Sequence, residues 1–216
     1  GLGPSLPVSG ALPDPVLELH DGSGSAIFTN DNWRESQADQ INATGIPPPN
    51  DLESAIIATL SANNSAYTAI LRGNNGNMGI GLVELYDLAQ AANSTLANIS
   101  TRGFVDTGDN VMIGGFIIGN GAVTVIARAI GPSLPVTGAL ADPFLELHDG
   151  NGALLESNDN WVDSPNKQAI IDTTIPPGSD LESAVIRTLP PGNYTAIVSG
   201  VGGIVGIALV EVYALN

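Results

Sequence analysis

GPSLPVSGALPDPVLELHDGSG, from Gly3 to Gly24, returns as GPSLPVTGALADPFLELHDGNG, from Gly131 to Gly152. The echo continues through NDNW (Asn30 to Trp33; Asn158 to Trp161), DLESA (Asp51 to Ala55; Asp180 to Ala184), YTAI (Tyr67 to Ile70; Tyr194 to Ile197) and VE-x-Y (Val83 to Tyr86; Val210 to Tyr213). The offset is 128 residues at the first motif, 129 at DLESA and 127 at YTAI, so only small loop changes separate two copies of one domain. An apolar block, Phe104 to Ile130, stands before the second copy and has no counterpart before the first. A repeat of domain length points to a tandem array or a polymer before it points to an enzyme. The division expected is a first β-sandwich repeat at 1–88 lacking its N-terminal hairpin, a polar linker at 89–102, and a complete second repeat at 103–216.

Composition narrows the class. Hydrophobic residues make up 43% of the chain but aromatics only 5%, so the cores must be built from Ile, Val, Leu and Ala. The 26 glycines and 15 prolines punctuate it as many short strands do. Residues 1–90 carry 10 acids and 2 bases, and residues 91–216 carry 12 and 4, so each part has a net charge of −8. Such a surface repels nucleic acid and anionic membranes and attracts divalent cations. With no cysteine, disulfide scaffolds, thiolate metal sites and thiol nucleophiles are excluded. The longest apolar runs, such as Ile204 to Val210, are too short to cross a bilayer as helices. The chain opens inside a motif, as a mature or trimmed form would.

The second copy reads as a series of strands. Val111 to Ile118 and Ala122 to Ala129 flank Gly119-Asn120-Gly121, a hairpin signal. Phe144 to His148 alternates apolar and polar residues before Asp149-Gly150 turns it into Ala153 to Glu156. Leu181 to Leu189, Tyr194 to Ser199 and Ile204 to Tyr213 complete the set, with one helical turn at Lys167 to Ile171. The first copy repeats them at Val16 to His20, Ala26 to Thr29, Leu52 to Leu60, Ala66 to Leu71 and Gly79 to Tyr86. Short strands with Gly or Pro turns predict an all-β fold of two tandem jelly-roll-like β-sandwiches.

The run LELHDGNGALLESNDNW, followed by Asp180 to Gly200 and IALVEVY, resembles the bacterial pre-peptidase C-terminal domain. The leader NISTRGFVDTGDNVMIGGFIIG with ARAIGPSLP resembles a repeat of large secreted or surface proteins of environmental bacteria. The resemblance implies a β-sandwich, extracellular or cell-surface placement, a binding or structural role, and no catalysis in the module.

The candidate chemistry is sparse. His20-Asp21 and His148-Asp149 suggest a triad, but no G-x-S-x-G elbow accompanies them, and His-Asp-Gly at a strand end is hairpin chemistry. The glycine runs Gly114-Gly115 and Gly200 to Gly206 are followed by no lysine and are not phosphate loops. Asp21, Asp31, Asp51 and Glu53 recur as Asp149, Asp159, Asp180 and Glu182, hard oxygen donors that make Ca²⁺ the candidate ion. The same residues also suit turn capping and a soluble surface. Trp33 and Trp161 are read as core plugs rather than sugar-stacking platforms.

The function expected is that of a non-enzymatic, extracellular structural repeat, a subunit of a fibre, filament or surface matrix. Copies of the chain are its expected partners, with Val111, Ile113, Ile117, Val123 and Val125 as assembly residues. Strand donation would fill a slot in the first copy lined by Val16 to His20 or Ile80 to Tyr86. The alternatives are a carbohydrate- or protein-binding adhesin module that meets a glycan or surface ligand, and a trimmed piece of a longer array from which the first copy's leader has been lost.

Overall fold

The computed structural model describes residues 1–61, 66–89 and 98–215. It divides into two compact units, Gly1–Thr95 and Leu96–Asn216. The centre of the stretch read as linker, residues 90–97, lies outside the described residues.

Unit 1 holds β1 (Pro15–His20), β2 (Ala26–Asn30), the short helix α1 (Ala38–Ala43) and β3 (Thr68–Gly73). Its strands form one antiparallel sheet in the order β2-β1-β3. Unit 2 holds β4 (Asn98–Val105), β5 (Met112–Ile118), β6 (Val123–Ile130), β7 (Pro143–Asp149), β8 (Leu154–Asn158), α2 (Lys167–Asp172), β9 (Ser183–Leu189), β10 (Gly192–Gly200) and β11 (Gly206–Leu215). Its first strand thus begins at Asn98, inside the stretch read as linker.

The eight strands of unit 2 pair about the turn after Asp149. β7 pairs with β8, β6 with β9, β5 with β10 and β4 with β11, all antiparallel. This is one long hairpin rolled over on itself, the jelly-roll plan. The roll lays β5-β10-β7-β8 in one sheet and β4-β11-β6-β9 in the other. The Gly119-Asn120-Gly121 turn therefore does not close a paired hairpin: β5 and β6 leave it for opposite sheets. A short turn signal fixes a change of direction but not a partner, and here each strand finds a longer partner later in the chain.

Alternation sets the packing. Val125, Ala127 and Ala129 of β6 face the inter-sheet core with Leu145, Leu147, Val198, Ala208, Val210 and Val212. Ile126 on the other face packs with Trp161, Ile170 and Ala184. β6 is thus covered on both sides. Its sheet lies between the sandwich core and the loop carrying α2.

Unit 1 repeats half of this plan. Leu17 stands opposite Asn30 as Leu145 stands opposite Asn158, and both pairs of strands have a register shift at the following His. β1, β2 and β3 correspond to β7, β8 and β10. Residues 54–60 and 79–86, the counterparts of β9 and β11, do not form strands. In unit 2 β6 pairs with both of those strands; in unit 1 the same position is taken, among the described residues, by Gly1 and Leu2 alone. The buried hydrophobic residues described in unit 1 are Leu12, Leu17, Trp33 and Ile41, against the seventeen of the inter-sheet core in unit 2.

Candidate functional site

In unit 1, Gly1 and Leu2 take up the end of the position that β6 fills in unit 2. Gly1 N donates to Ser54 O at 3.0 Å, and Ser54 N returns a bond to Gly1 O at 3.1 Å. Leu2 N donates to Leu82 O at 2.8 Å and Leu82 N to Leu2 O at 3.0 Å. These are the register partners of Ala129–Ser183 and Ile130–Leu209, the last pairs of β6. Gly1 and Leu2 therefore occupy the end of a strand position whose remainder no described residue fills. In a complete sheet that position separates its neighbours by two strand spacings, about 9–10 Å.

The side chains along the position show the consequence. Val83 is 39% exposed where its counterpart Val210 is 1%, and Leu85 is 64% exposed where Val212 is 5%. Ile80, Leu82 and Tyr86 are exposed as well. Of the two linings expected for the slot, Ile80 to Tyr86 is open, whereas Val16 to His20 is not: β1 is paired on both edges, by β2 and by β3.

The repeated motifs meet in a polar clasp beside this position. Glu182, fully buried, accepts from Gly131 N, Ser133 N, Ser133 Oγ and Ser179 N at 2.6 to 3.0 Å. Glu53, equally buried, accepts from Gly3 N, Ser5 N, Ser5 Oγ and Asn50 N at 2.5 to 3.1 Å. Burial opposes the Glu53 charge, but the Ser5 hydroxyl and the Ser5, Asn50 and Gly3 amides together outweigh it and hold the carboxyl below the ordinary glutamate value. The loop so gripped needs its glycine: a Cβ on Gly3 or Gly131 would lie 2.1 Å from the carbonyl oxygen of Leu12 or Leu140. Asn30 and Asn158 complete the clasp through Oδ1, which accepts from Ala55 N and Ala184 N at 2.9 Å.

This geometry separates the acidic residues singled out for Ca²⁺. Asp21 and Asp149 cap their hairpins. Asp21 accepts from the Ser23 hydroxyl and from the Ser23 and Ser25 amides, and Asp149 from the Asn151 and Ala153 amides. Asp51 pairs with Arg34 on the surface, and Asp180 is exposed. Glu53 and Glu182 are saturated by amides and hydroxyls. Among the described residues no three His, Asp or Glu side chains gather as a metal-binding group.

Asp31 and Asp159 differ from the rest. Each stands by an aspartate that sequence reasoning missed: Asp14, just ahead of β1, and Asp142, just ahead of β7. In unit 1 the Oδ1 atoms of Asp14, Asp31 and Asn32 are buried without a hydrogen-bond partner, and in unit 2 so are those of Asp142, Asp159 and Asn160. Burial, then Asp14, pushes Asp31 above the ordinary carboxylate range; burial, then Asp159, does the same to Asp142. Asn74 relieves the pair in unit 1, donating to Asp14 Oδ2 at 3.0 Å and Asp31 Oδ2 at 3.1 Å. The recurrence of Asp-Pro ahead of Leu-Glu-Leu-His was the available signal.

Trp33 and Trp161 are buried, and their indole N–H groups donate to Asn50 O and Ser179 O at 3.1 and 3.0 Å. Arg34 lies over the Trp33 ring, so neither tryptophan offers a free face to a sugar. His20 Nδ1 contacts Gly24 O at 2.9 Å and His148 Nδ1 contacts Gly152 O at 3.1 Å, closing the hairpin turns. Of the expected assembly residues, Val125 is a core residue and Val123 packs against that core. Ile113 and Ile117 are exposed on the edge strand β5, and Val111 just precedes it.

No family model matches the chain, and no curated protein matches it. Among solved structures it is similar to the pre-peptidase C-terminal domain of a collagenase from Bacillus anthracis. The identity is 12% and the TM-score 0.36, over 54% of this chain and 89% of that one. It is also similar to the VP2 subviral particle of infectious bursal disease virus, at 12% identity and a TM-score of 0.24, over 98% of this chain and 54% of that one. The first of these carries the family name of the motif resemblance. The jelly-roll assignment rests on the strand order of unit 2 itself.

Proposed function

We propose that the chain is a non-enzymatic, extracellular structural repeat protein, a subunit of a fibre, filament or surface matrix assembled by intermolecular β-strand pairing. The observation that supports this most directly is the edge strand β5 of unit 2, on which Ile113 and Ile117 stand exposed. Edges of that kind recruit strands by β-augmentation. Burial of each such side chain contributes about 1.5–3 kcal/mol, set against the entropy cost of association. A contact that joins two different surfaces is heterologous, and where its rotation does not close a ring it grows a filament.

Electron microscopy at micromolar concentration tests this reading. Filaments or end-to-end oligomers are expected. A population of monodisperse single chains in both microscopy and sedimentation would overturn it.

Ca²⁺ belongs to the same proposal as a structural ion at Asp14, Asp31 and Asn32 and at Asp142, Asp159 and Asn160. The support is the trio of buried, unpartnered oxygens at equivalent places in both units. They are hard donors suited to that ion, with carbonyls and water to complete its six to eight ligands.

A further inference from the structure

We infer that β5 pairs antiparallel, about Gly115, with β5 of a second copy of this chain, joining two unit 2 sheets edge to edge. This rests on the strand-pairing reading above and names the partner and the register.

The four edge strands of unit 2 are β5 and β8 in one sheet and β4 and β9 in the other. Three of them carry a feature that discourages a new neighbour. β8 is five residues long, contains Glu156 and meets β7 through a register shift. β9 carries Arg187, which donates to Leu155 O of β8 at 2.7 Å and ties those two edges together. β4 carries the exposed Arg102. β5, MIGGFII, has no charge, no proline and no break in its seven-residue register with β10. Its other edge has no strand partner among the described residues.

The strand is also complementary to itself. An antiparallel pair related by a two-fold axis keeps each residue on its own face of the sheet, so the register is set by the residue that meets its own copy. Gly115 is the middle of the seven, and that centre alone engages the whole strand. Ile113 then meets Ile117 of the second copy on the outer face, where the two are 55% and 75% exposed in the single chain. On the inner face Met112 meets Ile118. Phe116, which stacks on Tyr194, crosses Gly114, a residue with no side chain to oppose the ring.

Charge favours a second copy at this edge and selects its orientation. A chain of net charge −16 repels its own kind over most of its surface, and β5 is an edge where two copies meet without setting like charges face to face. The corner ahead of β5 carries Asp106 and Asp109. Parallel pairing would set the two corners side by side. Antiparallel pairing sends them to opposite ends of the joint, about 23 Å apart along a seven-residue strand and beyond the Debye length of about 10 Å. The joint is isologous and closes a pair, so a filament alternates it with a contact elsewhere on the chain.

The chain has no cysteine, so an introduced thiol reports its own neighbour. A Cβ on Gly115 would lie 4.0 Å from Tyr194 O, an ordinary contact, so Gly115→Cys is compatible with the fold of unit 2. In the register about Gly115 the two thiols of that variant face each other, with Cβ atoms about 5 Å apart. Those of Ile117→Cys stand about 13 Å apart, out of disulfide reach. Under mild oxidation of the full chain at micromolar concentration, Gly115→Cys is expected to give at least about tenfold more linked dimer than Ile117→Cys. Ile113→Cys combined with Ile117→Cys is expected to link as well. Circular dichroism checks that each variant folds. Equal linking by the two single variants would overturn the register, and no linking by any variant would overturn β5 pairing. Association that persists in sedimentation would then leave strand pairing to another edge. A chain that neither links nor associates would overturn the strand-pairing reading itself.

Discussion

Leu2 and Leu82 exchange two backbone hydrogen bonds, of 2.8 and 3.0 Å, at the register position where Ile130 meets Leu209 in the complete unit. In unit 2 the ladder runs on from that pair through the rest of β6. In unit 1 it stops one residue away, at Gly1 and Ser54. The same frame is thus paired along all of β6 in unit 2 and, among the described residues, only by Gly1 and Leu2 in unit 1. Local stability follows the number of buried apolar contacts and protected backbone bonds, so amide exchange is expected to be fast along 83–86 and slow along 210–213. Equal protection of the two segments would contradict the open sheet.

Val83 and Val210 provide a matched pair of substitutions. Val210 is 1% exposed in the inter-sheet core, and Val210→Asp places a carboxylate there without a partner. A cost of several kcal/mol, enough to unfold unit 2, is expected. Val83, 39% exposed, should accept Asp with a change of no more than about 0.5 kcal/mol. Thermal melts of the two variants measure this.

Glu53 makes the fold of unit 1 sensitive to acid. Its folded-state pKa lies below the ordinary value of 4.5, so its contribution is fully present above that value and is lost as pH falls through the folded pKa. Glu53→Gln keeps the shape but removes the charge that four donors address, at a cost of about 1–3 kcal/mol. Denaturant melts from pH 7 to pH 3 should show the variant losing less stability on acidification than the parent chain. Parallel curves would mean that Glu53 is not the acid-sensitive clasp.

Much of the fold was legible in the chain. Leu145 and Leu147 alternate with polar residues and are fully buried; Asp149 makes the turn its type suggests, although the positive φ falls on Gly152 and not on Gly150. Partner choice was not legible, because Gly119-Asn120-Gly121 reads the same whether the strands leaving it pair or part for opposite sheets. β4 was missed as a strand because Ser100, Thr101 and Arg102 make it look like linker, although Val105 is fully buried. At the candidate site, that one strand position serves two neighbouring segments required the sheet order. The recurrence of VE-x-Y was visible, but its meaning depended on Arg128 lying across from it.

Calcium should stabilise both units at equivalent corners. Binding to the native state alone raises the melting temperature by mass action, by about 2.7 kcal/mol of stability at a hundred times Kd. Melts in millimolar calcium and in EDTA should differ, and Asp142→Asn with Asp159→Asn should remove the part belonging to unit 2. Asn74 already bridges the carboxylates of unit 1, so the larger shift is expected in unit 2. Identical melts would remove the ion from the proposal and leave the oxygens to water.

Ile117 and Val125 test which part of the β4–β6 block meets other chains. Ile117 lies on the edge strand β5 and is 75% exposed, whereas Val125 is 3% exposed between the two sheets. An aspartate at 117 costs little in the isolated chain, because the position stays in water and β5 keeps its pairing with β10. It does place a charge on an exposed edge, a device that blocks edge-to-edge pairing. An aspartate at 125 introduces an unpaired charge into the core of unit 2 and should unfold it. Ile117→Asp is therefore expected to keep the parent melting temperature and to lower lateral association in sedimentation. Val125→Asp should lose the main transition altogether. If Ile117→Asp associates as the parent does, the outer face of β5 is not an assembly surface.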